Sequence, residues 1–206
     1  EIAQCLVGSE MCIRDRPVIE SMLLSFIADW NFLRPDDEIQ KVLATDYEMT
    51  GDIPMQLVTS GPVDKWNNLV LCFLNAIASA RKRVYIQTPY FLPTDALLKA
   101  LQAAALSGVD VRIMIPEKTD SVMLGYGSAS FVDDCLKAGI KVYLYLPGML
   151  HAKTMMVDDN FVSAGSVNFD FRSFENNFEG NLMIYSEAFN RLMRDIYSVS
   201  YTHLTL

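Results

Sequence analysis

From Met55 to Tyr197 the chain alternates short apolar runs with segments of helical period, and glycine or proline marks most of the changes. Met55–Ser60 reads as a strand ending at Gly61-Pro62, and Asp64–Ala80 as a helix with Leu69, Phe73, Leu74 and Ile77 inward. Arg83–Thr88 is a strand stopped by Pro89. Thr94 caps a helix running to Leu106, with Gly108 just past its end. Val109–Ile115 is a strand ended by Pro116, Leu124–Ala138 a helix closed by Gly139, and Lys141–Leu146 a further strand. Short strands follow at His151–Val157, Phe161–Ala164 and Glu179–Ile184, then a last helix through Tyr197. Such alternation predicts an α/β sandwich on a mixed, largely parallel sheet, with antiparallel strands near residues 151–184. Upstream, Pro17–Leu33 has the apolar spacing of an amphipathic helix. Arg34–Pro54, acidic and bounded by prolines, reads as a linker.

The two ends read differently. Met11–Asp15 and Val199–His203 can be encoded by codons that are reverse complements of each other, and CLVGSEMCIRDR and VSYTHLTL resemble translated sequencing adapters. Residues 1–16 and 199–206 are therefore expected to be adapter read-through. The expected organisation is then 17–54 as helix and linker and 55–198 as the principal repeat. Setting the ends aside removes Cys5, Cys12 and His203. Cys72 and Cys135 remain, both in apolar helical patterns and neither part of a disulfide framework, and His151 is the sole histidine. No histidine-built metal site can then form, and no metal or cofactor is expected. The net charge of −8 argues against a general nucleic-acid binder. No apolar run is long enough to span a bilayer.

His151, Lys153, Asp158, Gly165, Ser166 and Asn168 stand in the order H-x-K-x4-D-x6-G-S-x-N. On a strand, His151 and Lys153 share a face. Imidazole can attack phosphorus or move a proton near neutral pH, and an ammonium can neutralise non-bridging oxygens. Ser166 and Asn168 supply a hydroxyl and a carboxamide for the same oxygens, beside a glycine that lets an anion approach the backbone. Asp158 lies an odd number of residues from Lys153, on the other face, and is expected to fix the local fold. A carboxylate is wanted behind His151 to hold its tautomer. Glu179 is the first candidate and Asp170 the weaker one. Gln87, Thr88, Pro89 and Tyr90, after a strand, are candidates for the mouth of a pocket, the alternative being a buried strand end stopped by the proline.

These residues resemble the HKD motif of the phospholipase D superfamily. The runs VYIQTPYFLPTDALLKAL, ALSGVDVRIMIP, LHAKTMMVDD and GSVNFDFRSFENNFEGN are similar to the second catalytic half of bacterial cardiolipin synthases. The resemblance implies a phospholipase D-like α/β/α sandwich, one of two pseudo-repeats whose HKD motifs face each other. It counts His151, Lys153 and Asp158 as catalytic, and puts Glu179 where the family has its histidine-supporting acid. It further implies transfer of a phosphatidyl group between phosphatidylglycerol molecules through a phosphohistidine, at a bacterial cytoplasmic membrane. The first-half histidine would attack, and His151 would serve as acid and base. This chain carries one HKD motif, so the first catalytic half is an expected partner and the piece is expected to be inactive without it. Competing expectations are a hydrolase with water as acceptor, a single-motif homodimeric phosphodiesterase or nuclease, and an inert domain.

Overall fold

The computed structural model describes residues 16–40 and 53–201. The chain divides into two units, Glu1–Leu57 and Val58–Leu206. In the first, α1 (Arg16–Leu33) occupies the predicted amphipathic segment. Its end is folded over: Trp30 Nε1 donates to the Asp37 carbonyl at 2.9 Å, and Asn31 bonds both backbone groups of Ile39 at 2.8 and 3.1 Å. The expected linker thus begins as an ordered turn, while 41–52 lies outside the described residues.

The second unit is built on a seven-stranded sheet. Its strands are β1 (Met55–Ser60), β2 (Arg83–Gln87), β4 (Asp110–Pro116), β5 (Lys141–Tyr145), β6 (Thr154–Val157), β7 (Phe161–Gly165) and β9 (Glu179–Tyr185), in the order β1-β9-β7-β6-β2-β4-β5. β2 pairs in parallel with β4, and β4 with β5. On the other side of β2 the direction reverses, with β6, β7 and β9 antiparallel in succession. The sheet is therefore mixed, with β2, β4 and β5 parallel and β6, β7 and β9 alternating in direction beside them.

Both faces of β2 are buried, which is why RVYIQ reads as a nearly continuous apolar run. Val84 and Ile86, with Ile113, Val142 and Met155, share a core with α2 (Asn68–Ser79), α3 (Asp95–Leu106) and α4 (Val122–Lys137). Tyr85 faces the other way and stacks on Tyr197 of α6 (Glu187–Tyr201), centroids 5.2 Å apart. Arg112 covers Tyr85 at 4.7 Å, and Asp110 receives the Tyr85 hydroxyl at 2.8 Å and the Lys141 ammonium at 2.7 Å. Burial works to raise the Asp110 carboxyl, but the bonds from Arg112, Lys141 and Tyr85 prevail and hold it at about 2. Helices on both faces make the expected α/β/α layering.

The differences from the sequence reading are local. α2 starts at Asn68, not Asp64, because Asn67 is the cap: its side chain accepts from Val70 N at 3.1 Å. Asp64 instead accepts from Gly61 N at 2.8 Å and closes the preceding turn. Thr94 caps α3 as expected, and Gly108 and Gly139 adopt the positive φ of helix ends. α6 continues to Tyr201 rather than stopping at Tyr197. A second, two-stranded sheet, β3 (Phe91–Leu92) with β8 (Phe169–Asp170), and the single turn α5 (Phe171–Glu175) are too short for periodicity to show.

Asp158 ties the two directions of the sheet together. It adopts a left-handed backbone, φ 50°, and its carboxylate accepts from the amides of Arg81, Lys82 and Arg83 at 2.7 to 3.1 Å. Its own N–H donates to the Arg83 carbonyl at 2.9 Å. Asp158→Ala is expected to lose about 2–4 kcal/mol of stability, since three amides lose a charged acceptor. A urea titration followed by far-UV circular dichroism would measure this, and an unchanged midpoint would refute it.

Candidate active site

The antiparallel register fixes where the motif lies. Gln87, the last residue of β2, pairs with Thr154, the first of β6. The chain just before Thr154 therefore emerges at the C-terminal edge of the parallel strands, the edge at which open α/β sheets bind ligands. Gly165 ends β7 at the same edge, opposite Asn181 near the start of β9. This brings residues 151–153, 165–168 and 179 together. His151 and Lys153 precede β6 rather than forming part of it, because the paired strand begins at Thr154.

His151 is exposed and Lys153 half-buried. The Lys153 ammonium donates to the His151 carbonyl at 3.0 Å and stands 3.2 Å from Nδ1 and 3.4 Å from Nε2 of the imidazole. Burial pushes the Lys153 amine below the ordinary lysine range, with the nearby carboxylates of Glu179 and Asp170 opposing the shift. Cation and ring are thus adjacent at the open end of a strand, where one anionic group can meet both.

Gly165 permits the second wall. A Cβ there would come within 2.3 Å of the Gly180 carbonyl and 2.4 Å of Asn181 Oδ1, so only glycine lets β7 and β9 approach this closely. Ser166 N donates to the Gly180 carbonyl at 3.0 Å, and Gly180 N donates to Ser166 Oγ at 3.1 Å. The Ser166 hydroxyl donates to Glu179 Oε2. Asn177 donates to Glu179 Oε1 at 3.1 Å. Among the described residues, Glu179 is therefore bonded to Ser166 and Asn177 and not to His151, the partner expected for it. It reaches the pair by charge, through Lys153. Asn168 Oδ1 is buried with no hydrogen-bond partner among the described residues. Turning its carboxamide presents the NH2 group instead.

Asp158 is not brought to this cluster: β6 separates it from Lys153, and its carboxylate is used by the amides of residues 81–83. Asp170 caps α5, accepting from Ser173 N at 2.6 Å, and is near enough to Lys153 to influence its charge. Gln87 and Thr88 do not line a pocket mouth. Each is only 1% exposed. Gln87 accepts from Thr154 Oγ1 at 3.0 Å, and Thr88 Oγ1 accepts from Phe169 N at 3.0 Å while donating to the Tyr90 carbonyl at 2.8 Å. They brace β6 and β8 from behind. The Tyr90 hydroxyl donates to Asp120 at 2.7 Å, and that bond, with burial, pushes the phenol up to about 12. Of the expected mouth residues only Pro89 lines the cavity at this edge, whose other walls come from β4, β5, α4 and the β4–α4 loop. Those other walls were not legible beforehand, since they are ordinary core residue types.

The fold and this arrangement are those of a phospholipase D-like α/β domain. The chain resembles Nuc from Salmonella typhimurium, with a TM-score of 0.63 at 22% identity, covering 75% of this chain and 97% of that one. It also resembles the phosphatidylserine synthase of Haemophilus influenzae, with a TM-score of 0.57 at 18% identity over 80% of this chain and 44% of that one. Residues 73–199 match the family described as "Cardiolipin synthase, PLD-like domain", and the chain belongs to that family. It is 42% identical over 169 residues to the major cardiolipin synthase ClsA of Bacillus subtilis, covering 81% of this chain and 35% of that protein. It is 39% identical over 188 residues to cardiolipin synthase 1 of Staphylococcus aureus, covering 90% and 37%. The chain thus spans little more than a third of these relatives.

Lys153 is expected to titrate below the ordinary lysine range, measurable by NMR of its labelled side-chain nitrogen. Because the Glu179 carboxylate opposes that shift, Glu179→Gln should move the Lys153 titration to still lower pH. A rise, or no change, would show that Glu179 is not felt at Lys153.

Proposed function

We propose that this chain is the second catalytic half of a cardiolipin synthase-type phosphatidyltransferase, acting on phosphatidylglycerol at a bacterial cytoplasmic membrane. The observation that carries the reading is the half-buried Lys153 ammonium held against the His151 ring at the open sheet edge, in a chain homologous to cardiolipin synthases. The substrate phosphate binds at Lys153, whose charge offsets the oxygens as phosphorus becomes five-coordinate. Ser166, held by Glu179, and the Asn168 carboxamide donate to the same oxygens. The residues on which the first half would bear lie on one exposed edge, which leaves room for a second histidine opposite.

In the first step the histidine of the missing half attacks phosphorus. The phosphorus–oxygen bond to glycerol breaks, and His151 gives its proton to the departing alkoxide. In the second, His151 takes the proton from a hydroxyl of another phosphatidylglycerol. That oxygen attacks phosphorus, and the phosphorus–nitrogen bond breaks to free the first histidine. Two phosphatidylglycerols become one cardiolipin and one glycerol, and His151 ends as it began. Asp158 serves this chemistry from a distance, by fixing β6 on β2.

The test grafts residues 73–199 in place of the matching region of the Bacillus subtilis relative and supplies phosphatidylglycerol vesicles. Cardiolipin and glycerol are expected in equal amounts, unaffected by chelator. His151→Ala in the graft should lower turnover by at least about a thousandfold with the fold intact. Phosphatidic acid in place of cardiolipin would make the domain hydrolytic. A folded graft whose turnover survives His151→Ala would overturn the catalytic assignment.

A further inference from the structure

A cavity of about 460 Å³ opens at the same sheet edge as Lys153, on the other side of β2. Its walls include Pro89, Ile115, Pro116, Ala129, Val132 and Leu144, from the ends of β2, β4 and β5 and the facing side of α4. Its polar members are already engaged. Ser128 Oγ accepts from Phe91 N at 3.0 Å, and Thr119 Oγ1 donates to the Ser121 carbonyl at 2.7 Å. The remaining polar groups in the wall are the carboxylate of Glu117 and the hydroxyl of the exposed Tyr126, and Asp120 lies close by on Tyr90. The pocket therefore offers carbon to a guest and repels an anion. The volume lies within the range of about 300–1,000 Å³ usual for organic ligands. At about 30 Å³ per group, the share of one water in the liquid, it has room for on the order of fifteen methylenes.

Two further observations select the guest. Tyr126, in the wall, is 76% exposed, and Met123, one turn earlier on α4, is 80% exposed, so the rim is itself apolar. The link to Lys153 is short and rigid. Thr88 N donates to the Met114 carbonyl beside the wall residue Ile115, and Gln87 accepts from Thr154 beside Lys153. We propose that this cavity is the subsite for one acyl chain of the phospholipid whose phosphate is held at Lys153, a proposal that rests on the phosphate-binding reading above. The acidic wall keeps the headgroup out and orients the lipid, with phosphate towards the cation and tail beneath α4. The chain length that reaches its full depth is then set by Ile115, Val132 and Leu144, with Ala129 nearer the opening.

The test measures binding of octanoyl, decanoyl and dodecanoyl lysophosphatidylglycerol, each below its micelle concentration, with glycerol phosphate as the headgroup probe. In the unaltered chain, affinity should rise by about fourfold per methylene. Ala129→Trp, at an exposed helix position, should flatten that dependence and leave glycerol phosphate binding unchanged. Val132→Phe should act the same way and serves if the first variant fails to fold. A length dependence as steep in both variants as in the parent would overturn the proposal. If instead the variants flatten it but Lys153→Ala weakens neither probe, the phosphate reading fails and the joint subsite fails with it, while a chain-binding cavity stands.

Discussion

One carboxylate sets the geometry on which everything else rests. Asp158 gathers the amides of residues 81–83, which open β2, and thereby fixes the far end of β6 against it. Because backbone pairing along β2 and β6 is then in one register, the other end of β6 has no freedom either. Thr154 meets Gln87, and His151 and Lys153 project from the edge where the parallel strands finish. The left-handed backbone of Asp158 is the turn this arrangement requires. A motif aspartate can thus set the position of the imidazole–ammonium pair without approaching it.

The residues behind the site show the same division of labour. Gln87 and Thr88 are buried polar groups with their bonding satisfied inside the domain, and they lock strands of both sheets. Glu179 engages Ser166 and Asn177 and influences Lys153 through space. Gly165 contributes only by lacking a side chain. Each holds a neighbour in position, and the imidazole and ammonium are left on the open edge.

Much of this could be read before any coordinates. Strand and helix order followed from apolar period and from glycine and proline punctuation, because β2 and β4 are buried on both faces and helices must cover them. The grouping of His151, Lys153 and Ser166 was legible because the motif spacing carries it, and Glu179 was placed by the family resemblance. What could not be read were contacts between residues far apart in sequence. The Glu179 carboxylate lies with Ser166 rather than His151, and no spacing rule distinguishes the two. Gln87 and Thr88 looked like rim residues because they stand where a strand ends, yet their partners, Thr154 and Phe169, are remote in the chain. α2 starts after Asn67 rather than at Asp64 because Asn67, its cap, is also tied to Ser60 and Phe174, a tertiary preference that local propensity does not contain.

The reversal of direction beside β2 also has a kinetic meaning. The β2–β4–β5 part grows by successive crossovers, and β6, β7 and β9 by short reversals. Within the large sheet the two parts are joined where β2 pairs with β6, across a separation of 67 residues between Gln87 and Thr154. Closing so large a loop costs entropy before any contact repays it, so this seam belongs among the slower events of folding. The imidazole–ammonium pair sits on one side of the seam and the apolar cavity on the other. A molecule that has folded each part but not yet joined them does not hold the imidazole–ammonium pair beside the cavity. The imidazole–ammonium pair and the cavity therefore come into register through one and the same long-range closure.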